Sequence, residues 1–368
     1  MEDMFANLPE ELVSDILRRL SIRSVMTCKC VCRSWRRLIK GDEFASSYTS
    51  KPGLSFVHRD GREYTVFDGA FKPLFRFNFP SWNLHVVIAS VNGLLTVWDP
   101  DKYAIEMFVC NPITREYATL PPLMGTCFFF GFGVSKLSGL YKILCGDQYG
   151  SCHVYTLGRG RSGREWRSTA STAPGVPTLG RDCAKFLNGN LHWLVSDIEK
   201  NDLVCSFDIE TELFTSFSSP HDYGGNPYGN NHLYILEGQL CLCDILNSNH
   251  VVIWKMNNYG DENSWIKEYT FPLHVSPTYF DFYHGIAYKF KVLANDGHWL
   301  FATDGSFVFV ALKRLFINSK NTEANTKPLT SCSSIIASDF TSNVAIYSPS
   351  LISLRTIGLR NVRSLSFN

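Results

Sequence analysis

A short hairpin signal returns along most of this chain at a nearly fixed interval, and that periodicity limits the possible folds more than any other feature. Asn92-Gly93 sits between the apolar runs Val86–Val91 and Leu94–Trp98. Asn-Gly between two such runs reads as a two-residue turn joining antiparallel strands, because both turn positions need positive φ. The pattern is echoed at Asn188-Gly189, before Asn190-Leu191-His192-Trp193, and at Glu237-Gly238, before Gln239-Leu240-Cys241. The glycines stand 96 and 49 residues apart, close to two units and one unit of about 48. The skipped unit falls near Tyr141–Cys145 and continues into His153-Val154-Tyr155 and Trp166. A later, less regular unit contains Ala294-Asn295-Asp296-Gly297-His298-Trp299.

Between the glycine turns a second motif repeats. Val109-Cys110-Asn111-Pro112-Ile113-Thr114-Arg115-Glu116-Tyr117 stops at Leu120-Pro121, and Cys205–Phe214 stops at Ser219-Pro220. Val252–Met256 leads through Trp265 to Phe271-Pro272. Each reads as a strand, a polar turn, a strand and a proline stop. Earlier, Leu54–His58 and Glu63–Phe67 flank Arg59-Asp60-Gly61-Arg62, another hairpin. Short strands with an internal period of this length predict a β-propeller built from blades of about four strands. Strands buried on both sides account for wholly apolar runs such as Phe307–Leu312. The roughly 320 residues after Lys51-Pro52-Gly53 would make six to seven blades. A helical solenoid lacks support, since no long amphipathic helix follows that break, and leucine-rich units are too short.

The segment before the break has a different period. Leu8, Leu12, Ile16, Leu17 and Leu20 recur at helical spacing, with Glu10, Glu11, Ser14, Asp15, Arg18 and Arg19 on the other side. Asn7 is placed to cap this helix and Glu10 to complete a capping box, while Pro9 falls in the first turn. Ser21 is placed to cap a second helix. Two or three short helices with such a stripe need apolar cover. The rest of the chain could supply it, and so could another protein.

The residue order bears on that choice. Leu8-Pro9, Ile16-Leu17, Leu20, Val25, Val31-Cys32-Arg33-Ser34-Trp35 and Leu38-Ile39 together resemble an F-box over roughly residues 5–48. Downstream, Val91–Leu95, Asn111–Arg115, Phe130-Gly131-Phe132-Gly133, Asn188–Trp193, Phe207–Glu210 and Asp304-Gly305 resemble the Kelch-like F-box-associated domain of plant F-box proteins. A clean double glycine in each repeat is missing, which blurs the blade boundaries.

The resemblance implies a small all-α F-box at 1–50, followed by an all-β Kelch-like β-propeller at 51–368 that binds substrate. It implies a Skp-type adaptor as partner and, through it, a cullin–RING ligase. The chain would then be the substrate-recognition subunit of an SCF E3 ubiquitin ligase, acting on an unidentified protein. The adaptor-binding residues so implied are Leu8, Pro9, Leu12, Ile16, Leu17, Leu20, Val25, Val31, Cys32, Trp35 and Leu38. The alternative is a propeller interaction scaffold, outside the ubiquitin pathway, with its helical N-terminus packed on itself.

Composition narrows the partners. Of 368 residues 45% are hydrophobic and 14% aromatic, which suits a sizeable core. A formal net charge of +1 gives no overall reason to expect nucleic acid or an anionic membrane. The local exception is Arg18, Arg19, Arg23, Lys29, Arg33, Arg36, Arg37 and Lys40, read as a solvated helix face or as a complement to an acidic protein. Met1-Glu2-Asp3 is acidic where a signal peptide would be basic, and no apolar run is long enough to span a bilayer. The twelve cysteines follow no disulfide spacing, so a reduced chain in the cytoplasm or nucleus is expected.

No catalytic constellation stands out, and neither enzyme activity nor a cofactor is expected. Gly158-Arg159-Gly160-Arg161-Ser162-Gly163 forms a GxGxxG string in a polar loop, without the helix a phosphate cradle requires. Cys28, Cys30 and Cys32 do not share one side of a helix, so no metal site is expected there. His192 beside Trp193 reads as structural. Propellers bind through loops, and two are candidates for substrate contact. One carries Arg159, Arg161 and Arg164, and the other carries Tyr223 and Tyr228 in a Gly- and Asn-rich setting.

Overall fold

Among the described residues four short helices come first: α1 at Glu10–Arg18, α2 at Ile22–Cys28, α3 at Arg33–Lys40 and α4 at Asp42–Ser47. The structure, a computed structural model, describes residues 8–48, 56–60, 63–67, 73–79, 86–99, 104–125, 127, 129–147, 149–158, 165–174, 176–177, 183–196, 202–220, 232–236, 238–246, 250–272, 291–295, 298–303, 306–311 and 344–366. Ser21 caps α2 as its sequence position predicts, its Oγ accepting from the Ser24 N–H at 3.3 Å. The cap of α1 differs from expectation. Pro9 occupies the N-cap position, its carbonyl accepting from Leu12 and Val13. Glu10 is therefore the first helical residue and cannot close a capping box, and Asn7 lies outside the described residues. The fourth helix goes beyond the two or three expected. Gly41 ends α3 in extended backbone, and Asp42 and Glu43 then open a new first turn where acidic groups meet the helix dipole favourably.

After α4 the described strands form six antiparallel sheets. In the first, the C-terminal strand Val344–Ile346 lies beside Phe56–Asp60, Glu63–Phe67 and Pro73–Asn78. The second runs Arg363–Ser364, Glu116–Thr119, Ala104–Asn111, Leu94–Asp99, Val86–Val91. Four more follow in chain order, ending with Lys291–Asn295, His298–Thr303 and Ser306–Ala311. The turn at Asn92-Gly93 has φ of 49° and 75°, and that at Asn188-Gly189 has 55° and 84°, as the Asn-Gly signal requires. The second motif has a common cause as well. Asn111 Oδ1 accepts from the Ile113 N–H at 2.9 Å, and Asp208 Oδ1 accepts from Glu210 and Thr211 at 2.8 and 2.7 Å. Each loop then passes through a left-handed residue, Arg115 at 63° or Glu212 at 60°.

The chain forms two compact units. The first comprises Met1–Lys102, Glu106–Pro122 and Ala345–Asn368, so the helices share it with the first two sheets. Leu17, Val25, Ile39, Phe44 and Tyr48 belong to one apolar core with Val57, Tyr64, Phe77 and Phe108. The C-terminal segment is sewn onto this core. The Asn111 amide donates to the carbonyls of Ser350 and Ile352 at 3.2 and 2.8 Å, and Glu116 accepts from the Leu354 N–H at 2.8 Å. Gly93 is required for space as well as for its turn, since a Cβ there would overlap the Ser350 side chain.

The second unit comprises Tyr103–Ile105 and Leu123–Val344. Its polar groups are bound between sheets. Lys142 donates to the Ile209 carbonyl at 2.6 Å and to Glu212 at 2.8 Å, and Arg167 also pairs with Glu212. His192 is buried, with Nδ1 3.1 Å from the Lys185 carbonyl and Nε2 2.8 Å from the Tyr259 hydroxyl. A carbonyl can only accept, so Nδ1 carries the proton and Tyr259 donates to Nε2. The structural reading of His192 holds.

Candidate functional site

The helical module presents apolar side chains that the first unit does not cover. Adjacent positions on a helix are about 100° apart, so the apolar stripe of α1 is too wide to fit a single surface. Val13 and Leu17, one turn apart, point into the core. Leu12 and Ile16, also one turn apart, are 51% and 47% exposed. Val31, between α2 and α3, is 63% exposed. Leaving three large aliphatics in water forgoes about 1.5–3 kcal/mol apiece, a cost that burial against a partner would remove.

The other expected adaptor contacts fall into two groups. Pro9 is exposed, and Leu8, Leu20, Cys32, Trp35 and Leu38 are half-buried, so each keeps some surface in water. Cys32 is also the N-cap of α3, its Sγ accepting from the Trp35 N–H at 3.4 Å, which fixes the start of the Trp35 helix. Leu17 and Val25 require correction. Both are 0% exposed and packed into the core, so they hold the module together and cannot touch a partner without unfolding it. Val13 was missed as a core residue, although its i, i+4 spacing to Leu17 was there to be read.

Local contacts hold the module rigid. Arg18 lies over the Phe44 ring, 5.8 Å from its centroid, donates to Ser47 Oγ at 3.0 Å and pairs with Asp15 at 3.1 Å. The Tyr48 hydroxyl donates to the Leu20 carbonyl at 3.0 Å, and burial pushes its ionisation up to about 12, so it stays a donor. Burial likewise pushes the Cys28 thiol up, away from reactive thiolate character. Such a surface can bind a protein. The expected substrate contacts Arg159, Arg161, Arg164, Tyr223 and Tyr228 lie outside the described residues.

Comparison with known proteins bears on both parts of the chain. Residues 5–47 match the F-box domain, and residues 57–326 match the F-box associated beta propeller domain. Among curated relatives, putative F-box protein At1g33530 of Arabidopsis thaliana is 29% identical over 264 residues, covering 67% of this chain and 58% of its own length. The chain thus spans less than two thirds of that relative. F-box protein At3g07870 of the same plant is 29% identical over 312 residues, 72% of each chain. F-box protein At5g49610, also from Arabidopsis thaliana, is 27% identical over 283 residues, 70% of this chain and 77% of its own.

Proposed function

The chain belongs to the plant F-box proteins that carry an F-box-associated β-propeller domain, and from that premise we propose that it is the substrate-recognition subunit of an SCF-type ubiquitin ligase. The observation that carries this reading is the uncovered set Leu12, Ile16 and Val31, on a module whose other apolar side is already buried. It weighs against a self-packed scaffold, in which that surface would have cover of its own. The helices would bind a Skp-type adaptor and, through it, a cullin–RING ligase. The propeller would hold the protein to be ubiquitinated. No covalent step falls to this chain. Its contribution is proximity, which raises the effective concentration of a target lysine near the charged conjugating enzyme.

Co-purification with a Skp-type adaptor tests this. Changing Leu12→Asp and Ile16→Asp together should abolish adaptor capture while circular dichroism stays unchanged, because both side chains already face water. Capture of the double variant at the wild-type level would remove the reading and favour the scaffold.

A further inference from the structure

The cations of the helical module are not spread evenly over its surface. Arg33, Arg36 and Lys40 follow the i, i+3, i+7 spacing of α3, which puts them along one side of the helix. All three line a cleft of about 1330 Å³, and Arg37, off that stripe, does not. Arg23 and Lys29 of the α2 region join them, as does Arg115 from the turn between Ala104–Asn111 and Glu116–Thr119 in the second sheet. Six cations from two separate parts of the first unit therefore converge on one space.

One of the six, Arg23, donates to the Pro73 carbonyl at 2.8 Å. Glu116 is the one carboxylate lining the cleft, and its oxygens already accept from Thr114, Ser353 and the Leu354 N–H. Among the described residues no carboxylate pairs with Lys29, Arg33, Arg36 or Lys40. Burial, and then repulsion from Lys40, Arg115 and Arg36, pushes the Lys29 ammonium down to about 8. Like charges gathered in a partly enclosed space oppose folding, and an anion of high charge density placed among them would relieve that repulsion.

We propose that this cleft is a binding site for a compact polyphosphate anion, one that carries several phosphate groups on a small scaffold. The chemistry favours phosphate over an acidic peptide. Forked guanidinium groups match phosphate oxygens in pairs, and each phosphate brings up to two charges to one point. Carboxylates on a peptide bring one charge per residue, spread along several ångströms of chain. A bound polyphosphate would tie α3 to the second sheet within the first unit and stabilise the folded chain by mass action. Val31 and Cys32, expected adaptor contacts, also line the cleft, so a bound adaptor would compete with the polyphosphate, and the lone chain tests the site apart from that reading.

Calorimetric titration of the full chain with inorganic tripolyphosphate, at physiological salt, tests the assignment. Saturable one-to-one binding with a rise in melting temperature is expected. The variant R33Q/R36Q/K40Q should fold normally, since these side chains are exposed, and should lose about tenfold or more in affinity with its charge-assisted bonds. A control, K136Q/K267Q/R360Q, removes three exposed cations outside the cleft and should bind like the wild type. The absence of saturable binding would overturn the proposal. An equal loss in both variants would overturn it too, by exposing a general charge effect. Tighter binding of an octaglutamate peptide than of tripolyphosphate would give the cleft to a protein ligand instead.

Discussion

Two cationic regions of this protein treat the same chemistry in opposite ways. In the second unit Lys142 is buried, and its ammonium is bound by the Ile209 carbonyl and by Glu212, which Arg167 also holds. Each charge there has a counterpart. In the helical module Lys29, Arg33, Arg36 and Lys40 have no acidic partner among the described residues, and Leu12, Ile16 and Val31 have no apolar cover. A region whose bonding capacity is used up internally is structural. One that leaves both apolar and ionic capacity open is built to be completed by something else.

The sharpest way to break that contrast is to unbalance the satisfied region. Glu212→Gln keeps the shape but leaves Lys142 and Arg167 without their anion, and should cost about 3 kcal/mol in urea-unfolding stability. Adding Lys142→Met should recover most of the loss, because the pair is then replaced by neutral groups. If the double variant is no more stable than the single, the ion pair is not what the second unit relies on. Acid should act in the same direction as the single change. Burial alone would raise the Glu212 carboxyl, but hydrogen bonds from Arg167 and Lys142 outweigh it and hold the group below its ordinary range. Its stabilisation is therefore present above the unfolded value and is lost as pH falls.

His192 gives the next largest effect. Burial lowers its imidazole from 6.5 to about 4, against the opposing influence of the Lys185 carbonyl. The neutral form is thus the folded form. Below 6.5 the unfolded chain takes up a proton that the folded chain refuses, so stability falls as pH falls from about 6.5 towards 4. Between pH 7.5 and 5 the loss should be about 2 kcal/mol. Urea midpoints across that range, compared with those of His192→Phe, measure it. A variant that keeps the full pH dependence would clear His192 of responsibility.

What could be read from sequence here was local. The Asn92-Gly93 and Asn188-Gly189 turns, the polar turns after Asn111 and Asp208, and the Ser21 cap each depend on residues within a few positions, and all are found. What escaped notice depends on distance. Lys142 finds Ile209 and Glu212 across 67 and 70 residues. Asn111 finds Ser350 across 239. No periodicity encodes such partners, since loop closure brings them together only after the sheets have formed. The candidate site failed in a particular way. An apolar stripe tells that α1 has a covered side, but it does not tell where the covered side ends, so Leu17 and Val25 were counted as contacts when they are core. The charged cleft went unread for a similar reason. The α3 stripe is visible in sequence, but Arg115 lies 75 positions beyond Lys40 and is brought to the same cleft only by the fold.

The smallest expected effect is the most telling for the helical module. Leu12→Ser with Ile16→Ser replaces two large aliphatics by polar groups, and in a core that would cost several kcal/mol. Here both side chains face water, so the urea midpoint of the lone chain should change by no more than about 0.5 kcal/mol. Leu17→Ala, one position along the same helix and fully buried, removes less apolar surface yet should cost about 3 kcal/mol. The inversion, with the smaller change more damaging, is what a helix with one finished side and one open side demands. A large loss in the serine variant would mean that the chain already covers Leu12 and Ile16 in solution, and the open side would then be closed from within.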